Sequence, residues 1–151
     1  MRALLQRVKR AAVRFPAAPS FGERSIGPGR AVLLGVGRGD DAAAARRLAE
    51  KCAGLRVFSN AEGKFDLSLL DTGGEALVVS QFTLYGDCAR GRRPDFMAAL
   101  GPAEAEPLYL AFVETLRGLG VRAQTGEFGA KMEVELLNDG PVTLWLDTTS
   151  P

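Results

Sequence analysis

Two short apolar runs decide most of what this chain can become. Arg30–Val36 reads as a continuous apolar stretch bounded by glycines, and Glu75–Ser80 carries Ala76, Leu77, Val78 and Val79 without a break. Runs of this length fit strands buried on both faces, whereas a helix would need a longer 3.6-residue pattern. A chain holding such strands must cover a sheet on two sides. With 151 residues it has the material to do so around one core, so a single domain over 1–151 is expected.

The rest of the pattern supplies the cover. Met1–Phe15 alternates loosely and reads as a partly exposed strand, followed by a loop at Pro16–Ser20 and a short strand within Phe21–Ile26. Gly37-Arg38-Gly39 fits neither phosphate-loop spacing and reads as a glycine turn before a helix. That helix, Ala42–Ala53, is alanine-rich, with Asp40 or Asp41 as its cap. A second helix over Ala103–Leu119 opens after Pro102 and shows a stripe of Leu108, Phe112, Leu116 and Leu119. Further strands are expected at Leu55–Phe58, Val121–Thr125, Lys131–Leu137 and Val142–Leu146, the last two joined by a turn at Asn138-Asp139-Gly140-Pro141. Strands with two main helices imply an α/β chain with a mixed sheet and helices packed on it.

Charge and cysteine content narrow the function. Net charge is only +1, so bulk electrostatics announce no nucleic-acid binder. Local patches say more: five basic residues and no acid lie in Met1–Phe15, and Arg90, Arg92 and Arg93 fall close together. No apolar stretch is long enough to span a bilayer, and two cysteines make no disulfide framework, so a cytoplasmic setting without membrane contact is expected. The chain has no histidine. That removes Ser-His-Asp and Cys-His catalysis and most zinc sites, so neither a metal nor another cofactor is expected. Cys88 lacks a histidine to activate it and reads as a bystander. Hydrolysis by such a chain must use hydroxyls, backbone donors, a lysine or carboxylate, or groups on the substrate.

Ser80-Gln81-Phe82-Thr83 is the candidate for that work. Two hydroxyls and an amide follow a strand too apolar to be exposed, and successive backbone N–H groups at such a strand end can hold an oxyanion. The same groups can equally satisfy the loop's own backbone. Gly140-Pro141 is less marked, because an X-Pro bond is cis in only about 5–6% of folded cases.

Taken with other strings, these segments resemble the D-aminoacyl-tRNA deacylases of the bacterial and eukaryotic type. The agreement runs from Met1-Arg2-Ala3 and Gln6-Arg7-Val8 through Gly27-Pro28-Gly29 and Leu67-Ser68-Leu69-Leu70-Asp71. It continues in Ser80–Tyr85, Gly91-Arg92-Arg93-Pro94, Thr125-Gly126, Phe128-Gly129-Ala130 and Asn138 with Gly140–Thr143. The resemblance implies a barrel-like β/β/α layered domain of largely antiparallel strands. It implies hydrolysis of the ester joining a D-amino acid, or glycine, to the 3′-terminal adenosine of tRNA. It also implies a homodimer in which a cis Gly140-Pro141 reaches into the partner's site and rejects L-residues by steric exclusion. Ser80, Gln81, Phe82 and Thr83 would then line the ester, with N–H groups near Phe82 and Thr83 as the oxyanion hole. Phe65 and Met132 would flank the adenosine pocket, and Arg90, Arg92 and Arg93 would meet tRNA phosphates. An alcohol at its normal pKa with no base beside it is a poor attacker, which favours water aided by the tRNA 2′-hydroxyl over Thr83. Phe65-Asp66 replaces the family's usual Met-Asn, and the segment Phe15–Arg24 departs enough that an altered loop is expected there. The rival reading is a module that binds the tRNA acceptor end without cleaving it.

Overall fold

The computed structural model describes residues 1–149. Its elements in chain order are β1 (Arg2–Arg14), β2 (Arg24–Ile26), β3 (Gly29–Gly35), α1 (Ala42–Gly54), β4 (Phe58–Ser59), β5 (Phe65–Leu67), a one-turn helix α2 (Leu69–Thr72), β6 (Glu75–Ser80), α3 (Pro102–Gly118), β7 (Arg122–Thr125) and β8 (Glu133–Asp147). Short 3-10 turns lie at Pro19–Phe21 and Phe82–Tyr85.

One mixed sheet organises the molecule. β1 pairs antiparallel with β8 along one edge and with β3 and β2 along the other, while β3, β6 and β7 run parallel. Strong twist brings β2 round to β7, where Arg24 reaches the carbonyls of Thr125 and Gly126 at 2.9 and 3.2 Å, so the sheet nearly closes on itself. β4 and β5 form a separate two-stranded ribbon. The architecture is thus the mixed, barrel-like sheet with two main helices, α1 and α3, on one side.

The two apolar runs are buried on both faces. In β6, Ala76 and Val78 face the helix layer while Leu77 and Val79 face the barrel interior; in β3, Val32 and Leu34 face the helices and Ala31 the interior. β1 needs an irregularity to serve both layers. Ala3 and Leu5 face the helices, whereas Val8, Ala11 and Val13 all face the interior. Lys9 has no partner in the β8 ladder, where Val8 pairs Asn138 and Arg10 pairs Leu137, and this bulge resets the two-residue alternation.

Local chemistry explains the helix ends. Of the two candidate caps, Asp41 takes the role, accepting from the Ala44 N–H at 2.7 Å, while Asp40 accepts from Gly37 N–H and the Tyr85 hydroxyl. At the other end of α1 the buried Arg30 guanidinium donates to the carbonyls of Cys52 and Leu55 and lies 5.1 Å from the Phe58 ring. Burial lowers its pKa to about 10, and burial also pushes the Cys52 thiol up to about 12, against the opposing pull of Arg30.

Several boundaries differ from expectation for identifiable reasons. Pro19–Phe21 is a 3-10 turn, so only Arg24–Ile26 of the expected strand pairs. Leu55 is spent capping α1 and β4 begins at Phe58. In α3 the buried face is Ala105, Tyr109, Phe112, Val113 and Leu116; Leu119 closes the helix and is exposed. The largest correction concerns Asn138–Pro141. It does not reverse the chain: residues on both sides of it pair with β1 in one antiparallel ladder, Asn138 opposite Val8 and Thr143 opposite Gln6. Asp139–Val142 therefore loop out of a single strand opposite Arg7.

Candidate active site

β3 and β6 deliver their C-terminal ends side by side, Leu34 opposite Ser80. The Gln81 N–H still bonds the Leu34 carbonyl at 2.8 Å, after which the chain breaks into the 3-10 turn Phe82–Tyr85, closed by Gly86 N–H on the Thr83 carbonyl at 3.0 Å. The N–H groups of Phe82 and Thr83 open this turn and take no partner among the described residues. Gln81 donates its side-chain amide to the Thr83 hydroxyl. The turn is propped from beneath: Arg2 donates to the Leu84 carbonyl at 3.0 Å and stacks 4.4 Å from the Tyr85 ring. Gly37 is required there, because a Cβ on it would meet the Tyr85 ring at 2.4 Å.

A cleft of about 700 Å³ opens at this point. Its floor is Leu34, Val36, Val79 and Ser80, one rim is Gln81, Phe82 and Phe96, and the far wall is Phe128, Gly129, Ala130, Met132 and Val134; the start of α3 closes the remaining side. Phe82 is exposed and meets Phe96 edge-on at 5.1 Å. Tyr109 supports Phe128 from the core, its ring 5.7 Å away and its hydroxyl donating to the Val78 carbonyl at 2.8 Å. Burial raises the pKa of that hydroxyl, so it serves as a fixed donor.

Among the described residues no ionisable side chain lines this cleft: its polar side chains are those of Ser80 and Gln81. An apolar enclosure also strengthens any hydrogen bond aimed into it.

The sequence candidates fall in three places. Ser80, Gln81, Phe82 and Met132 share the cleft, with Thr83 in the turn at its edge. Arg90, Arg92 and Arg93 lie exposed on the loop that follows, whose base is fixed by reciprocal Asp87 and Asp95 backbone bonds of 2.7 and 2.9 Å; Cys88 is exposed on it. Gly140, Pro141 and Phe65 lie elsewhere, gathered round Arg7. Arg7 donates to the Asp139 carbonyl at 2.8 Å and the Val57 carbonyl at 2.7 Å, and its guanidinium is 5.3 Å from the Phe65 ring. The Gly140–Pro141 peptide is cis, Gly140 has φ +142°, and the loop is pinned by Val142 N–H on the Asn138 side-chain oxygen at 2.8 Å. Both Gly140 and Pro141 are exposed, and neither they nor Phe65 line the chain's own cleft.

Sequence reasoning passed over Phe96 and the organising role of Arg7. Phe96 sits where the polar stretch Arg92–Asp95 gives way to Met97–Leu100, and it belongs to no helix or strand period. Arg7 does leave a signal, a charged residue within a strand that is paired on both edges.

Comparisons with known proteins agree with this geometry. The family model described as D-Tyr-tRNA(Tyr) deacylase matches residues 4–147. A D-aminoacyl-tRNA deacylase of Symbiobacterium thermophilum is 57% identical over 98% of this chain and 96% of its own length. One from Thermomicrobium roseum is 56% identical over 98% and 94%. Among solved structures, the c-Myc DNA unwinding element binding protein superposes with TM-score 0.89 at 39% identity, covering 100% of this chain and 99% of that one. A probable eukaryotic D-amino acid tRNA deacylase shares the fold, with TM-score 0.80 at 18% identity over 96% and 97% of the two chains. With the family model spanning nearly the whole chain, and relatives this similar over their full lengths, the chain belongs to the D-Tyr-tRNA(Tyr) deacylase family.

Proposed function

We propose that this protein hydrolyses the ester between a D-amino acid, or glycine, and the 3′-terminal adenosine of tRNA. The observation that carries the reading is the cleft without ionisable groups. An aminoacyl ester is already activated, so positioning and an oxyanion hole suffice where a poorer leaving group would demand an acid or base. The N–H groups of Phe82 and Thr83 bind the oxyanion, Ser80 and Gln81 orient the ester, and Phe82 packs beside the adenosine with Met132 at its flank. The proton relay missing from the protein comes from the vicinal 2′-hydroxyl of the substrate, which assists an attacking water. Arg90, Arg92 and Arg93 meet backbone phosphates.

Chiral selection belongs to a second copy of the chain. Gly140 and Pro141 stand exposed on a pinned bulge and line no cleft of their own chain among the described residues. In a homodimer they enter the partner's cleft, where parallel backbone carbonyls hold the substrate's α-amino group and leave no space for an L side chain. Glycine, with nothing to exclude, passes. Phe65 serves this reading as a support of the bulge through Arg7. A cytosolic setting goes with the proposal, in keeping with the free thiols of Cys52 and Cys88.

The test is matched D- and L-aminoacyl-tRNA followed for ester loss. Hydrolysis of the D-ester with sparing of the L-ester is expected. Tight binding without turnover would replace this reading with that of an acceptor-end binding module. Equal loss of both esters would remove the selector role from Gly140-Pro141.

A further inference from the structure

We propose that Arg24 is a positioning residue for the reaction cleft: from β2, the edge strand that curls round to meet β7, it clamps the segment that becomes the cleft's far wall. The inference rests on the deacylase reading for its chemistry and on independent geometry for its location.

The wall is built by the residues that follow β7. Phe128, Gly129 and Ala130 line the cleft directly. Immediately before them, Thr125, Gly126 and Glu127 are all held by one guanidinium. Arg24 donates to the Thr125 carbonyl at 2.9 Å, to its hydroxyl at 3.3 Å and to the Gly126 carbonyl at 3.2 Å, and it pairs with the Glu127 carboxylate. The guanidinium is itself held, 5.3 Å from the buried Phe15 ring, which Phe21 meets edge-on at 5.4 Å. Glu127 passes the restraint onward, because its carbonyl accepts the Ala130 N–H at 3.2 Å.

Two facts make this a restraint on the cleft as well as a closure of the barrel. The wall has little slack, since a Cβ on Gly126 would meet the Met132 sulfur at 2.4 Å. And no strand pairing holds residues 127–130 from the outer side; β7 ends at Thr125, and Gly126 keeps a single backbone bond, to the Val78 carbonyl at 3.0 Å. A planar fork that bridges two successive carbonyls and a carboxylate fixes both position and direction, which an ammonium would not do. The segment Phe15–Arg24 thus takes part in the site from across the fold.

The test compares wild type with Arg24→Ala, Arg24→Lys and the control Arg14→Ala, whose exposed side chain pairs with Glu23 and Glu135 and makes no bond to Thr125–Ala130. Steady-state turnover of D-aminoacyl-tRNA is read beside amide hydrogen exchange at Gly126. Arg24→Ala should lower kcat about tenfold, as expected for a sub-ångström misplacement of the wall, and leave KM within about threefold because phosphate contacts lie elsewhere. Exchange at the Gly126 N–H should accelerate by about tenfold or more as local opening becomes easier. Arg24→Lys should recover only part of either effect, and Arg14→Ala should match wild type. If Arg24→Ala fails to fold, Arg24→Lys carries the same comparison. Wild-type kcat in a folded Arg24 variant overturns the proposal, as does a fall in kcat with unchanged exchange at Gly126. A wild-type protein inactive on the D-ester sinks the deacylase reading instead, and exchange at Gly126 still decides whether Arg24 holds the wall.

Discussion

The cleft at Ser80–Thr83 and the bulge at Asp139–Val142 are opposite kinds of structure. The cleft sits at the end of two strands buried on both faces and is walled by side chains of its own chain. The bulge is lifted out of a single ladder, exposed, and fixed by Arg7 and Asn138. The first is a concavity lined by no ionisable side chain among the described residues. The second is a projection held by hydrogen bonds, with Gly140 and Pro141 exposed at its tip. Under the proposed function neither makes a selective catalyst alone, and each is completed by a second copy of the other.

The largest effect should come from reshaping the projection. Gly140→Ala puts a Cβ 2.7 Å from Val142 Cγ2 at a φ of +142°, a backbone that L-residues rarely adopt. D-ester hydrolysis should fall about 100-fold, in line with an ångström-scale displacement of a positioning group. Stability should drop by only about 1–3 kcal/mol, because the bulge is exposed. Wild-type kinetics in this variant would break the proposed link between the two regions. Next in size is a change at the cleft end made in the substrate. tRNA ending in 2′-deoxyadenosine should react about 100-fold more slowly under single turnover, within the range of a lost general acid–base contribution. Thr83→Ala should stay within about tenfold of wild type, losing an orienting hydroxyl. Reversal of that order would make Thr83 the nucleophile.

Arg7→Ala tests what holds the projection. It strips the donors from the Asp139 and Val57 carbonyls. A loss of about 1–3 kcal/mol in denaturant unfolding is expected, with activity down about tenfold. Arg7→Lys should not restore the bulge, since one ammonium cannot span both carbonyls and stack on Phe65. Smallest should be the exposed arginines. Arg92→Ala and Arg93→Ala should each raise KM by a few-fold. Each should also lower the slope of log affinity against log salt by about 0.7–0.9, with no change in D-over-L preference. A change in chirality would place them at the ester.

The legible parts of the sequence were those where one local rule acts alone. Continuous apolar runs gave β3 and β6, and alanine content with a capping aspartate gave α1. The Asn138–Pro141 stretch misled because asparagine, aspartate, glycine and proline signal a turn whether the chain reverses or only bulges. Direction is decided by pairing, and both flanks of the stretch find the same partner strand. Arg30 was hidden within an apolar run because its charge is absorbed by helix-end carbonyls that the sequence does not place beside it. The clamp by Arg24 joins residues about a hundred positions apart, and no periodicity reports such a meeting.

By itself the sequence determined which strands are buried and that no histidine takes part. These are local or compositional facts, independent of where the chain goes. The tertiary structure alone decided that no ionisable side chain among the described residues lines the cleft, that Gly140-Pro141 lies away from it, that Arg24 meets Thr125–Glu127 and that Arg7 holds the bulge. Those facts depend on which distant strands share an edge and on how far the sheet curls, and long-range pairing sets both.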